Sequence, residues 1–309
     1  AAHPYPPPPD WLREWMGAQL WLFRDANASP DFPESARAAL DLYELGQGVR
    51  PAGVIAFDQR AVQLLLEALG PLSLPDRQVT AENAVAFMRE AWTPPPGGER
   101  TLEWWLGRKA FAQTLAEAAL AKLQAGPPDV VALARALREL VAGGHLLIYL
   151  PDAPAAVWDG AVRPPAAGDY LFVVDSNVGF NKADPYVARG LAYEIDLTRP
   201  DAPLARLTLT YTHRLPSGPD CRQQADYGAG AYTDLMERCY WDFVRVLAAP
   251  GSQLLDSAFP SVPPEWTLAA SGFSGPARSE PGPAGTAQFS GLFVLPPGDG
   301  FKTAFVRLI

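Results

Sequence analysis

The chain has 309 residues, 48% of them apolar and 19% charged, with a formal net charge of −9. That balance is globular rather than disordered, and the acidic excess excludes nonspecific nucleic-acid binding, which depends on clustered Lys and Arg. The 33 prolines and 26 glycines call for many fixed loops, because proline sets φ and removes a backbone donor.

Residues 1–10 read as a proline-rich linker of polyproline type, carried by Pro6-Pro7-Pro8-Pro9. Residues 11–23 read as a short helix and then a strand. A loop follows, and Pro33 opens a helix over 34–45 that Gly46 and Gly48 end. Residues 53–57 form a short buried strand. A helix over 61–69 stops at Gly70-Pro71, and Thr80 caps a helix over 81–91. Helices over 102–123 and 130–141 and a strand over 145–150 complete a layered α/β unit spanning 11–150.

The remainder, 151–309, reads as a mainly antiparallel β unit with a loop-rich C-terminal part. Strands are expected at 170–175, 187–196 and 204–212, the last two antiparallel because their connection is short. Another is expected at 240–247, and 288–295 with 303–309 read as a terminal hairpin. The fold class is therefore α/β in the broad α+β sense.

Several phrases, in this order, resemble an uncharacterised bacterial envelope family, domain-of-unknown-function family 4012. They are Arg24-Asp25-Ala26-Asn27 with Ser29-Pro30-Asp31-Phe32-Pro33, Gly53-Val54-Ile55-Ala56-Phe57-Asp58, Asp175-Ser176-Asn177-Val178-Gly179-Phe180-Asn181-Lys182, and Cys239-Tyr240-Trp241-Asp242-Phe243-Val244-Arg245. The resemblance implies an extracytoplasmic, membrane-associated protein of the cell envelope. It also implies an N-terminal anchor and a strand-bearing segment ahead of the proline run, neither of which is in this sequence. That segment would complete a sheet beside residues 20–23. In that compartment Cys221 and Cys239 are expected to form a disulfide, the alternative being two buried thiols.

Residues 20–125 also resemble the LytR-CpsA-Psr phosphotransferases, which move glycopolymers from polyprenyl pyrophosphate onto the cell wall. The carriers are Arg24-Asp25, the 53–58 strand, Leu69-Gly70-Pro71, and the stretch from Arg100 through Arg108-Lys109. This implies a similar sheet, phosphate binding by Arg24, Arg100, Arg108 and Lys109, and a magnesium ion held by Asp25 and Asp31. Each residue has a plainer reading: Asp31 as a helix cap, Arg24 and Asp25 as a salt-bridged loop, the basic stretch as a solvated helical face. The polar loop 175–184 reads as structural, as do His213 and the Trp104-Trp105 pair.

Two functions follow. The first is a non-catalytic envelope module that binds or scaffolds, its partner an envelope protein, the upstream segment, or a glycopolymer or lipid-linked ligand, with no nucleic acid. The second is a magnesium-dependent phosphotransferase-like enzyme acting on polyprenyl-pyrophosphate-linked glycopolymers. The first is preferred and no catalytic residue is assigned, because no complete catalytic set is present.

Overall fold

The computed structural model describes residues 5–93, 104, 107, 110–126, 128–152, 160–199, 202–225 and 232–308. It is α+β, with helices and antiparallel strands in several small sheets. The chain forms two compact units, one of residues 31–161 and a discontinuous one of residues 1–30 with 162–309.

In the 31–161 unit, α2 (Phe32–Gln47) starts as its sequence dictates. The Asp31 carboxylate accepts from the Glu34 N–H, and a proline occupies the first turn. β1 (Val54–Phe57) leads into α3 (Gln59–Leu69), capped by Asp58 through the Ala61 N–H at 2.9 Å. After the short strands β2 (Leu72–Ser73) and β3 (Gln78–Val79) come α4 (Ala84–Trp92), α5 (Ala110–Ala125), α6 (Val130–Ala142) and β4 (Leu146–Tyr149). The helix expected from Ala81 starts at Ala84, because Thr80 and Asn83 first bond each other's backbone N–H and close a turn.

The strands of this unit make two separate antiparallel ribbons, β1 with β4 and β2 with β3, and no pairing joins them among the described residues. Strands of four and two residues offer too few ladder bonds to spread further. The helices carry the packing instead. Ala61 and Leu64 of α3 meet Ala136 and Leu140 of α6, while Leu66 packs with Leu72, Val79 and Ala84.

The discontinuous unit is a sandwich of two four-stranded antiparallel sheets. α1 (Asp10–Met16) precedes a 3₁₀ turn, Phe23–Asp25, so residues 20–22 are not a strand. Gly17, in the left-handed conformation, ends α1. One sheet runs β12 (Arg278–Pro281), β13 (Ala287–Leu295), β8 (Tyr240–Ala248), β5 (Leu171–Val174). The other runs β6 (Val187–Asp196), β7 (Leu204–His213), β14 (Gly300–Leu308), β9 (Gln253–Ser257). A small ribbon, β10 (Phe259–Val262) with β11 (Phe273–Gly275), and a short helix, α7 (Tyr232–Met236), complete it.

β6 and β7 pair antiparallel over their full length, from Val187–His213 to Asp196–Leu204. β13 and β14 form no hairpin. β13 bonds to β8 and β12, and β14 bonds to β7 and β9. Both strands carry aromatic residues on their inward face, and these stack across the sandwich instead, with Phe293 and Phe301 ring centres 4.4 Å apart.

All nine residues of β8 are buried. Tyr240, Val244, Val246 and Ala248 face the opposite sheet with Leu207, Leu209, Tyr211 and Phe305. Trp241 and Phe243 face the other way, onto Trp15 of α1, Phe273 and the Cys221–Cys239 disulfide, whose Cα atoms are 5.4 Å apart. A strand covered on both faces loses the polar-apolar alternation that β7 keeps.

The disulfide closes a loop between residues separated by 18 positions, and the chain-entropy account assigns such closure about 3 kcal/mol. Thiol titration of the unfolded, unreduced protein should find no free thiol. Chemical denaturation of the doubly substituted Cys221→Ala, Cys239→Ala protein should show a loss of that order.

Candidate functional site

The residues named as anion and metal ligands are used locally. Arg24 is exposed, and its Nε lies 3.2 Å from Asp25 Oδ2 in the 3₁₀ turn. Asp31 is buried and caps α2. Arg100, Arg108 and Lys109 lie outside the described residues, and so does Trp105. Among the described residues, no group of three or more His, Cys, Asp or Glu side chains is placed to hold a metal ion.

The structure gathers a different set. Where β5 ends, Asp175 meets Asp242 of β8, Tyr211 of β7 and Arg189 of β6. Tyr211 donates its hydroxyl proton to Asp175 Oδ1 at 2.8 Å, and the Arg189 Nε donates to Asp175 Oδ2 at 2.6 Å. Arg189 also reaches Asp184 at 3.2 Å and the Tyr240 hydroxyl at 2.9 Å, and lies over the Tyr240 ring. Asp242 is fully buried; its Oδ1 accepts from the Ser176 N–H at 2.8 Å, while Oδ2 has no donor among the described residues. Burial, then the charge and hydrogen bond of Asp175, push the Asp242 carboxyl well above the usual carboxylate range. That favours the neutral, protonated form of Asp242. Burial and the nearby carboxylates also raise both tyrosines, which stay neutral.

The polar loop after Asp175 is structural. Asn177 Nδ2 donates to Asn181 Oδ1 and Asp184 Oδ2, and Asn181 Nδ2 donates to the Cys239 carbonyl at 2.8 Å. A side chain on Gly179 would meet Trp241 at 2.8 Å, so only glycine fits there. The phrases around 175–182 and 239–245 therefore form one interlocked piece.

Arg245 draws a third phrase into it. Its guanidinium is buried, donates to the Ala28 carbonyl at 2.9 Å and to Ser176 Oγ at 3.0 Å, and lies over the rings of Trp11 and Phe243. Burial lowers its pKa to about 10, against the pull of Asp242 and Glu280. His213 is buried between the Arg238 carbonyl and the Leu215 N–H, and burial lowers its pKa, which fits a neutral packed ring.

At the other end of the sandwich interior, Arg307 forms a second network. It reaches Asp169 at 2.5 Å, the Tyr193 hydroxyl at 2.6 Å and Ser252 at 2.8 Å, and Tyr193 also bonds Asp169. Sequence reading passed over Asp242, Arg245 and Arg307. The available signal was a charged residue inside an otherwise apolar strand, which must find partners or give up its charge.

Two adjacent carboxyls are, in principle, an acid–base pair. Here both Asp175 oxygens are occupied and Asp242 is sealed from solvent, so neither carboxyl is presented to a substrate.

The sequence model of the family described as Protein of unknown function (DUF4012) matches residues 1–92 of the chain. No curated protein and no solved structure matches the chain.

A carboxyl whose folded pKa lies above its unfolded value stabilises fully below the latter, about 3.9, and that contribution fades as pH rises through the folded pKa. Asp242→Asn keeps the acceptor for Ser176 and supplies a permanent donor toward Asp175. Its melting temperature should vary less than wild type between about pH 5 and 9, as read by thermal denaturation across that range. Asp242→Ala, which strands the Ser176 N–H, should lose about 1–3 kcal/mol at neutral pH.

Proposed function

We propose that this chain is a non-catalytic module of the bacterial cell envelope that works outside the cytoplasm by binding or scaffolding. The observation that carries the reading is how its polar side chains are spent. Arg189 pairs with Asp175 and Asp184, buried Asp242 is held toward its neutral form, Asp31 caps a helix, and Arg24 pairs with Asp25. Charged groups consumed in this way fix a shape; they are not poised to attack, protonate or polarise a substrate.

The Cys221–Cys239 disulfide supports the compartment, since such bonds persist in oxidising surroundings. No helix among the described residues is long and apolar enough to cross a membrane. Association with the membrane then runs through a partner, an upstream segment or a bound lipid-like ligand.

Titration with magnesium and pyrophosphate, or with a polyprenyl pyrophosphate analogue, tests the reading on wild type and Arg24→Ala. A binding module of this kind gives the same negligible binding for both proteins. A loss of about 1.5–3 kcal/mol in Arg24→Ala, the size of a charge-assisted contact, would favour the phosphotransferase reading instead.

A further inference from the structure

The 31–161 unit holds a cavity of about 500 Å³ between α3 and α5. Its wall is aliphatic and aromatic, with Val62, Leu66 and Leu69 on one side, Leu115 and Ala119 on the other, and Leu72 closing one end. The polar lining residues, Asp58 and Gln59, sit together at the other end, and Asp58 is already engaged by the Ala61 N–H and by His145 at 2.7 Å. A void of this size forfeits the dense packing of a protein interior. Water finds few partners on such a wall. An apolar occupant answers both deficits.

Shape narrows the occupant. The cavity follows α3 from Asp58 to Leu69, about 16 Å at the helical rise per residue. An extended hydrocarbon chain of about that length fits along it.

Charge sets its direction. Lys122, one turn beyond Ala119 on α5, places its ammonium beside the Leu69–Leu72 end, 2.7 Å from the Pro71 carbonyl. That carbonyl takes one of its three donors, and Lys122 has no carboxylate partner among the described residues. At the far end Asp58 repels an anion.

We propose that the α3–α5 cavity binds one unbranched acyl chain of fatty-acid type, its carboxylate at Lys122 and its tail running along α3 toward Asp58. This site deepens the binding role proposed above and rests on it. Its failure would remove the ligand while leaving the scaffold role to the pyrophosphate titration.

The test is calorimetric titration of the full chain with octanoate, decanoate, dodecanoate and tetradecanoate below their micelle concentrations. Affinity should rise about fourfold per added methylene, from about 0.8 kcal/mol each, and level off when the cavity is full. Ala119→Trp and, independently, Ala116→Phe should fill the space and abolish binding while circular dichroism reports a folded protein. Lys122→Gln should weaken dodecanoate about tenfold and leave dodecanol unchanged. Absence of saturable binding, affinity independent of chain length, or unchanged binding in both folded filling variants would overturn the site. Equal effects of Lys122→Gln on acid and alcohol would overturn the head-group assignment.

Discussion

The sandwich is organised around a strand that sees no solvent, and Asp242 sits near the start of it. A carboxylate there would give up hydration that nothing in an apolar interior replaces. The chain resolves this by favouring the neutral form of Asp242, which burial and the neighbouring Asp175 both promote. That choice fixes much else. Asp175 must lie at the end of β5, the Ser176 N–H must point back at Asp242, Tyr240 must stand two residues before it on β8, and Tyr211 and Arg189 must close the cluster from the other sheet. A one-residue slip of β8 would carry Asp242 onto the face of Trp15 and Phe273, away from Asp175, Tyr211 and Arg189.

The opposite face of β8 meets the N-terminal segment. Trp11 and Trp15 stack on Phe243 with ring centres 5.5 and 6.2 Å away, Gln223 donates to the Trp15 carbonyl, and Arg278 holds Glu14 through two bonds of 2.7 Å. Arg245 adds the Ala28 carbonyl. Residues distant in sequence thus converge on one strand from both sides. The two buried arginines, 245 and 307, sit in different networks and are treated differently: one is spread over aromatic faces and neutral oxygens, the other is matched by Asp169.

Local signals in the sequence were legible where the cause is local. Asp31 with Pro33 starts α2, Gly70 ends α3, and the β6–β7 pair follows from strand-forming residues and a short connection. The cysteine pairing followed from compartment rather than geometry. What stayed hidden depends on partners far away in the chain. β13 and β14 read as a hairpin because they are close in sequence and both apolar, yet aromatic packing across the sandwich sends them to different sheets. Trp11 and Trp15 looked like part of the unit that follows them, since nothing near them names Phe243. Arg24, Asp25 and Asp31 carry chemistry by type, and each has a partner within three residues. Asp242 and Asp175, 67 positions apart, cannot announce their meeting.

The position of β14 has a bearing on how the molecule is made. It lies inside its sheet, between β7 and β9, and β9 has no other partner in that sheet. A ribosome delivers this strand after all the others in the sandwich. Until it arrives, β7 shows an unpaired edge and Phe293 lacks Phe301. The sandwich therefore cannot close by stepwise addition as it is synthesised; it assembles as a whole once the final strand is available, around contacts of very long sequence separation. Until then the β7 edge stays a template on which another strand could pair.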